Sequence, residues 1–254
     1  MKPILLLMAA LPFFSCSQPS ANVQPNFSTD SFKTSITSIG DIPPPEGFER
    51  ITADENSFTS FLRNIKLKKD KTVYLYNGVP KRNQSAQYAV LDIPVPKVDL
   101  QQCADAVMRI RAEYLFAQKR FSEIIFIDNA HRVYPFSPPY TKEHFDKYLL
   151  RVFANCGTAS LSIQLNQVKG YENIKPGDVL IKGGSPGHAV IVVDAAINKE
   201  GKKAYMLAQS YMPAQDIHVL KNPKYSNSPW YFANNDNIIY TPEWVFYKDQ
   251  LKRW

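Results

Sequence analysis

The chain has 254 residues, is 44% hydrophobic and 21% charged, and carries a formal net charge of +7. After the N-terminus no stretch is long and apolar enough to span a bilayer as a helix, and the short basic clusters KLKKDK and KDQLKR belong to no recognised nucleic-acid motif, so nucleic acid is a poor reading. A moderate positive charge suits anionic envelope surfaces such as lipid headgroups, lipopolysaccharide or peptidoglycan.

The opening stretch MKPILLLMAALPFFSC combines one early Lys, an apolar run and Ser15 before Cys16. It is too short for a lasting transmembrane helix and reads as a signal peptide over residues 1–15. A cysteine directly after such a run reads as a bacterial lipobox, with Cys16 acylated at the start of the mature chain. Its acyl chains supply the two signals that stable anchoring takes. The expected location is the cell envelope, as a membrane-anchored lipoprotein on the periplasmic or outer-membrane face. Residues 16–41 then hold the lipidated Cys and a flexible tether rich in Ser, Thr, Asn, Gln and Pro. Residues 42–254 have the length of a single α+β domain.

Within that domain DENSFTSFLRNIKL predicts a helix, with Phe58, Phe61 or Leu62, and Ile65 on one face. KTVYLY and QYAVLDIPV read as two strands joined by NGVPKRNQS. VDLQQCADAVMRIRAEYLFAQKR carries the strongest helical pattern; Asp99 is its expected N-cap, with Gln102 completing a capping box. EIIFI predicts a short strand and DNAHRVYPFSPPY a Pro-rich loop. TKEHFDKYLLRVFANC and TASLSIQLNQV predict two helices broken at Gly157. Strands follow at GDVLI, at the run starting with His188, at AYMLAQSYM and at DIHVL, before a Trp- and Tyr-rich tail. Helices early and antiparallel strands late give an α+β class. The tail aromatics either close a small core or line a glycan groove.

Two residues stand out chemically. Cys103 lies in the first turns of the capped helix, where free N–H groups and the positive dipole end favour a thiolate. His188 starts the apolar strand HAVIVV as it leaves the Gly-rich loop KGGSPG, a position from which a rigid sheet aims a side chain at a cleft. Nucleophile on a helix N-terminus and base on a strand is a cysteine-hydrolase arrangement, and the base needs an orienting partner. With a turn between Lys199 and Glu200, His188 falls opposite Tyr211, and alternation puts Gln209 on its face one diagonal step away. Gln209 is therefore the expected third member. Asp194 shares that face but lies six residues along the strand, about 20 Å away.

Other readings stay open. Cys103 shares a stripe with Leu100, Val107, Ile110 and Tyr114 and would serve equally as a core residue. Cys156, also ahead of a helix, is a rival nucleophile, and a Cys103–Cys156 disulfide would remove both. His131, His144 and His218 read as surface or structural, and Asp178 as a loop-orienting residue. No metal motif or phosphate loop is present, and no cofactor is expected.

The segment KPGDVLIKGGSPGHAVIVVD resembles the part of NlpC-type and CHAP-type papain-like peptidases in which a PGD strand precedes a GH strand. That resemblance implies a papain-like fold, Cys103 as nucleophile, His188 as base, and cleavage of peptide or amide bonds of bacterial cell wall. QQCADAVMRIRAEYL, GGSPGHAVIVVD, LAQSYMPAQ and TPEW together resemble a domain-of-unknown-function family of Bacteroidota envelope proteins, over most of residues 42–254. The expected function is a lipid-anchored cysteine hydrolase with catalytic residues Cys103, His188 and Gln209, acting on a cell-wall peptide. The alternative is a non-catalytic module on the same fold that binds an envelope ligand or a partner protein.

Overall fold

The computed structural model of the protein describes residues 35–225 and 227–254; the leader, Cys16 and the tether as far as residue 34 lie outside the described residues. The folded part opens with Ser38, which bridges to Lys66, and with the fully buried Ile39, a few residues ahead of position 42. In chain order come β1 (Phe48–Arg50), α1 (Phe58–Asn64), β2 (Gln87–Val90), α2 (Cys103–Ala117), β3 (Ile125–Ile127), β4 (Val133–Pro135), α3 (Lys142–Phe153) and α4 (Thr158–Gln164). Then follow β5 (Asn166–Gln167), β6 (Val179–Lys182), β7 (His188–Asn198), β8 (Lys203–Gln209), β9 (His218–Leu220), β10 (Trp230–Phe232), β11 (Ile238–Tyr240), β12 (Val245–Tyr247) and β13 (Leu251–Arg253). The class is mixed α+β.

Nine of these strands make one sheet, in the order β2-β9-β8-β7-β6-β13-β5, with β1 added on β7 and β10 on β8. Every pairing in it is antiparallel. β7 is its spine, and the nine residues from His188 to Ala196 are all buried. A strand covered on both faces reads as a continuous apolar run, which is why HAVIVV shows no alternation. Ala189, Ile191 and Val193 join the larger core with α2, α3 and α4, whereas Val190, Val192 and Ala195 join a second core with Tyr205, Phe246 and Leu251. The C-terminal strand is locked from outside, because Arg253 forks onto buried Asp178 of the PGD turn at 2.6 and 2.8 Å.

Two local expectations are corrected. Residues 71–76 form no strand with 87–95; they make isolated bridges from Tyr74 to Pro80 and from Leu75 to Gln215, while β2 pairs with β9. Helix α2 starts at Cys103 with Gln102 as N-cap, and the Asp105 carboxylate accepts from the Gln102 N–H at 2.9 Å. Asp99 is engaged elsewhere, accepting from the Ala214 N–H at 2.7 Å and from Gln102 Nε2 at 3.1 Å. A tertiary partner for Asp99 outweighs a local cap, and the shift puts Cys103 at the first helical position.

Register is decided by one residue. The β7–β8 hairpin pairs Ile197 with Lys203 and Asp194 with Met206, so its turn centres on Glu200. Carried straight on, that register would set His188 opposite Met212 and turn Gln209 to the other face. An irregularity between Val192 and Asp194 inserts Val193, after which Ile191 pairs with Ala208. A bulge of this kind shifts register by one, and a one-residue shift exchanges the two faces. The bulge therefore brings Gln209 to the His188 face.

Candidate active site

His188 is fixed by what precedes it. A Cβ on Gly187 would lie 2.3 Å from the Gly184 carbonyl oxygen and 2.4 Å from Thr158 Oγ1, so only glycine lets the loop fold this tightly onto the start of α4. Thr158 Oγ1 donates to the Gly184 carbonyl at 3.1 Å and ties the loop down. His188 then enters the sheet opposite Lys182. Its ring is enclosed by Tyr211, Trp244 and Phe246, at centroid distances of 4.8, 5.2 and 5.8 Å.

Gln209, the last residue of β8, meets the ring: His188 Nε2 and Gln209 Oε1 are 2.8 Å apart. The direction of this bond is set further out. Gln209 Nε2 donates to Glu243 Oε2 at 2.8 Å, and a carboxylate only accepts. The second Nε2 hydrogen points to His218 Nε2 at 3.4 Å, while His218 Nδ1 donates to the Asp216 carbonyl at 2.9 Å. The amide oxygen must face His188, so Nε2 of that ring carries the hydrogen and Nδ1 keeps its lone pair. Among the described residues Nδ1 has no hydrogen-bond partner. Glu243 is held in turn by Lys81 Nζ at 2.6 Å and Asn83 Nδ2 at 3.1 Å.

Cys103 stands against the same strand, since α2 packs on β7. The N–H groups of Ala189, Ala104 and Cys103 itself act on its sulfur and favour the thiolate, but burial is the larger effect and pushes the thiol up. Only 6% of Cys103 and 2% of His188 is exposed. Burial likewise holds His188 down to about 4, against the opposing pull of Gln209 and Glu243. The resting pair is thus a neutral thiol and a neutral imidazole; the helix-terminal thiolate expected from the sequence is outweighed by desolvation. No hydrogen bond joins the Cys103 sulfur to the His188 ring among the described residues.

The structure brings Gln209 onto His188 and sets Cys103 against Ala189, one residue along. Asp194 is elsewhere, its carboxylate bound by Arg50 Nε and Arg63 Nε at 2.7 Å each. Cys103 and Cys156 are both free and buried, so no disulfide joins them, and burial raises the Cys156 thiol to about 12. Sequence reasoning missed Glu243, Lys81 and His218. Glu243 lay inside TPEW, one of the quoted motifs, but nothing in the sequence shows that these three converge on Gln209.

Glu243→Gln tests the orienting chain. Without a group that can only accept, the Gln209 amide is expected to flip in part of the population and drive His188 toward the Nδ1–H tautomer. The lost charged hydrogen bonds cost on the order of 1–3 kcal/mol of stability. Long-range 1H–15N imidazole spectra separate the tautomers; a ring that stays wholly Nε2–H would show that Glu243 does not set the orientation.

These features define an α+β protein in which a buried imidazole–amide pair opens the central strand and a buried thiol at a helix N-terminus meets the next residue of that strand. Residues 40–138 and 128–253 match the model of the family described as Domain of unknown function (4846), and the chain belongs to that family. Comparison with curated proteins and with solved structures gives no match.

Proposed function

We propose that the protein is a papain-like cysteine hydrolase that cuts an amide bond in a peptide or peptidoglycan fragment, held in a bacterial, Bacteroidota-type envelope by a lipid on Cys16. The observation that carries the reading is the bond from His188 to Gln209 Oε1, which leaves Nδ1 as a free base next to the residue whose N–H meets the Cys103 sulfur. In this mechanism Nδ1 takes the thiol proton as sulfur bonds to the substrate carbonyl carbon. Gln209, polarised by Glu243, steadies the imidazolium that forms. The tetrahedral intermediate expels the amine, which leaves with the proton from His188, and water then cleaves the thioester by the same route. The leader and Cys16 support the anchor, and the segment around PGD and GH supports the papain-like assignment.

One observation favours the second reading, a non-catalytic envelope-binding module. Cys103 and His188 are nearly sealed, so a substrate has to displace some of the rings around His188. Iodoacetamide labelling of the folded protein, located by mass spectrometry, separates the two. The hydrolase reading expects Cys103 to be alkylated while Cys156 is spared, and His188→Ala to slow that alkylation by about 10²-fold, the lower range for a positioned base. Labelling of Cys103 only after unfolding would end the proposal and leave the binding module.

A further inference from the structure

The aromatic tail supplies only Trp244 and Phe246 to the enclosure of His188; Tyr231, Phe232 and Tyr240 line a second feature. A groove of about 800 Å3 opens beside the β7–β8 turn, against Tyr225 and the stretch from Tyr231 to Tyr240. Ligand sites span roughly 300–1,000 Å3, and this groove lies in the upper part of that range. Phe48, Phe232 and Tyr225 form a continuous wall, with 5.6 Å between ring centroids at each step. Tyr240, also on the lining, is half exposed.

Between these rings sit amide side chains. Asn198, Asn234 and Asn235 line the groove. Asn198 Oδ1 is held by the Glu200 and Lys202 N–H groups and Asn234 by Asp236, whereas Asn235 makes no hydrogen bond among the described residues and is the amide open to a ligand. Most of the rim charge is matched: Lys202 pairs with Glu200 at 2.7 Å and Lys224 with Asp236 at 2.9 Å, which leaves Lys203, its Nζ donating to the Ile174 carbonyl at 3.0 Å. Such a surface offers a polyanion little surplus field. A pyranose ring fits it better, since its C–H faces lie on aromatic rings such as Tyr240 while the Asn235 amide, donor and acceptor at once, serves hydroxyl and acetamido groups.

We infer that this groove binds a neutral acetamido-sugar oligosaccharide. Asn198 ends the strand that His188 begins, so at about 3.3 Å per residue the groove lies on the order of 30 Å from Cys103. The inference does not rest on thiol chemistry and survives or fails apart from it.

The test titrates the full chain with tetra-N-acetylchitotetraose and follows binding by calorimetry. Saturable binding is expected in the wild type and in Cys103→Ala alike. The double variant Tyr240→Ala, Asn235→Ala is expected to bind at least about tenfold more weakly, with melting unchanged because both side chains are exposed. Maltotetraose, which lacks acetamido groups, is expected to bind about tenfold more weakly than the acetamido tetramer. Absence of saturable binding at millimolar sugar, binding indifferent to the two substitutions, or equal binding of both tetramers overturns the inference. So does a preference of the groove for phosphatidylglycerol vesicles over the sugar.

Discussion

Between pH 6.5 and 4 the protein is expected to lose stability steeply, and two buried histidines are the cause. His188 and His218 are both held down to about 4 in the folded state, with burial the largest effect on each. The unfolded chain protonates them near 6.5. In that window the unfolded state binds protons that the folded state refuses, so stability falls as pH falls and the loss is complete below about 4. Each histidine contributes on the order of 3 kcal/mol. The charges acting on them are Lys81, which opposes protonation, and Glu243, which favours it. Buried Asp105, raised well above its ordinary value, works in the opposite direction, so the histidine effect is read as a difference. Urea unfolding at pH 7 and pH 4.5 should give a smaller acid loss in His218→Gln than in wild type, by on the order of 2 kcal/mol. Gln still accepts from Gln209 but does not titrate. Parallel losses in the two proteins would rule out His218 as a source. The same depression keeps the His188 ring unprotonated well below pH 6.

The second large effect is expected at Asp194. Its carboxylate is fully buried, accepts from Arg50 Nε and Arg63 Nε, and also takes the Ala195 N–H at 2.8 Å. Arg50 comes from β1, which is paired on the second half of β7, and Arg63 from α1. The two guanidiniums are themselves mostly covered, at 24% and 15% exposed. Asp194→Ala leaves both without their counterion, and breaking a buried pair in this way costs about 3–5 kcal/mol. Asp194 directly follows the bulge at Val193, so its clamp also holds the register that turns Gln209 toward His188. A chemical-denaturation midpoint within error of wild type would refute this role. A stable variant whose His188 ring kept its Nε2–H tautomer would separate the clamp from the register.

The larger elements were legible in the residues. Helices at α1, α2, α3 and α4 and strands at β6, β7, β8 and β9 follow from apolar spacing and from Gly and Pro punctuation. The pairing of Gln209 with His188 was also reached, by a register that proved right near the site for another reason. The sequence argument put the turn between Lys199 and Glu200; the chain turns around Glu200 and recovers the offset through Val193. Nothing in a β-branched run marks which valine will bulge. The supposed hairpin over 71–95 failed because strand propensity names no partner, and β2 found β9.

What the sequence determined by itself is the class, α+β, and the two chemical positions: a cysteine opening a helix and a histidine opening a strand. Both follow from short-range rules of periodicity, capping and chain reversal. Tertiary structure alone decided the protonation of the site and the atoms that direct it. Burial turns an expected thiolate into a neutral thiol, and Glu243, Lys81 and His218 reach Gln209 from segments far apart in the chain. Desolvation and long-range hydrogen bonding depend on what packs around a group, and that is fixed only once the chain has folded.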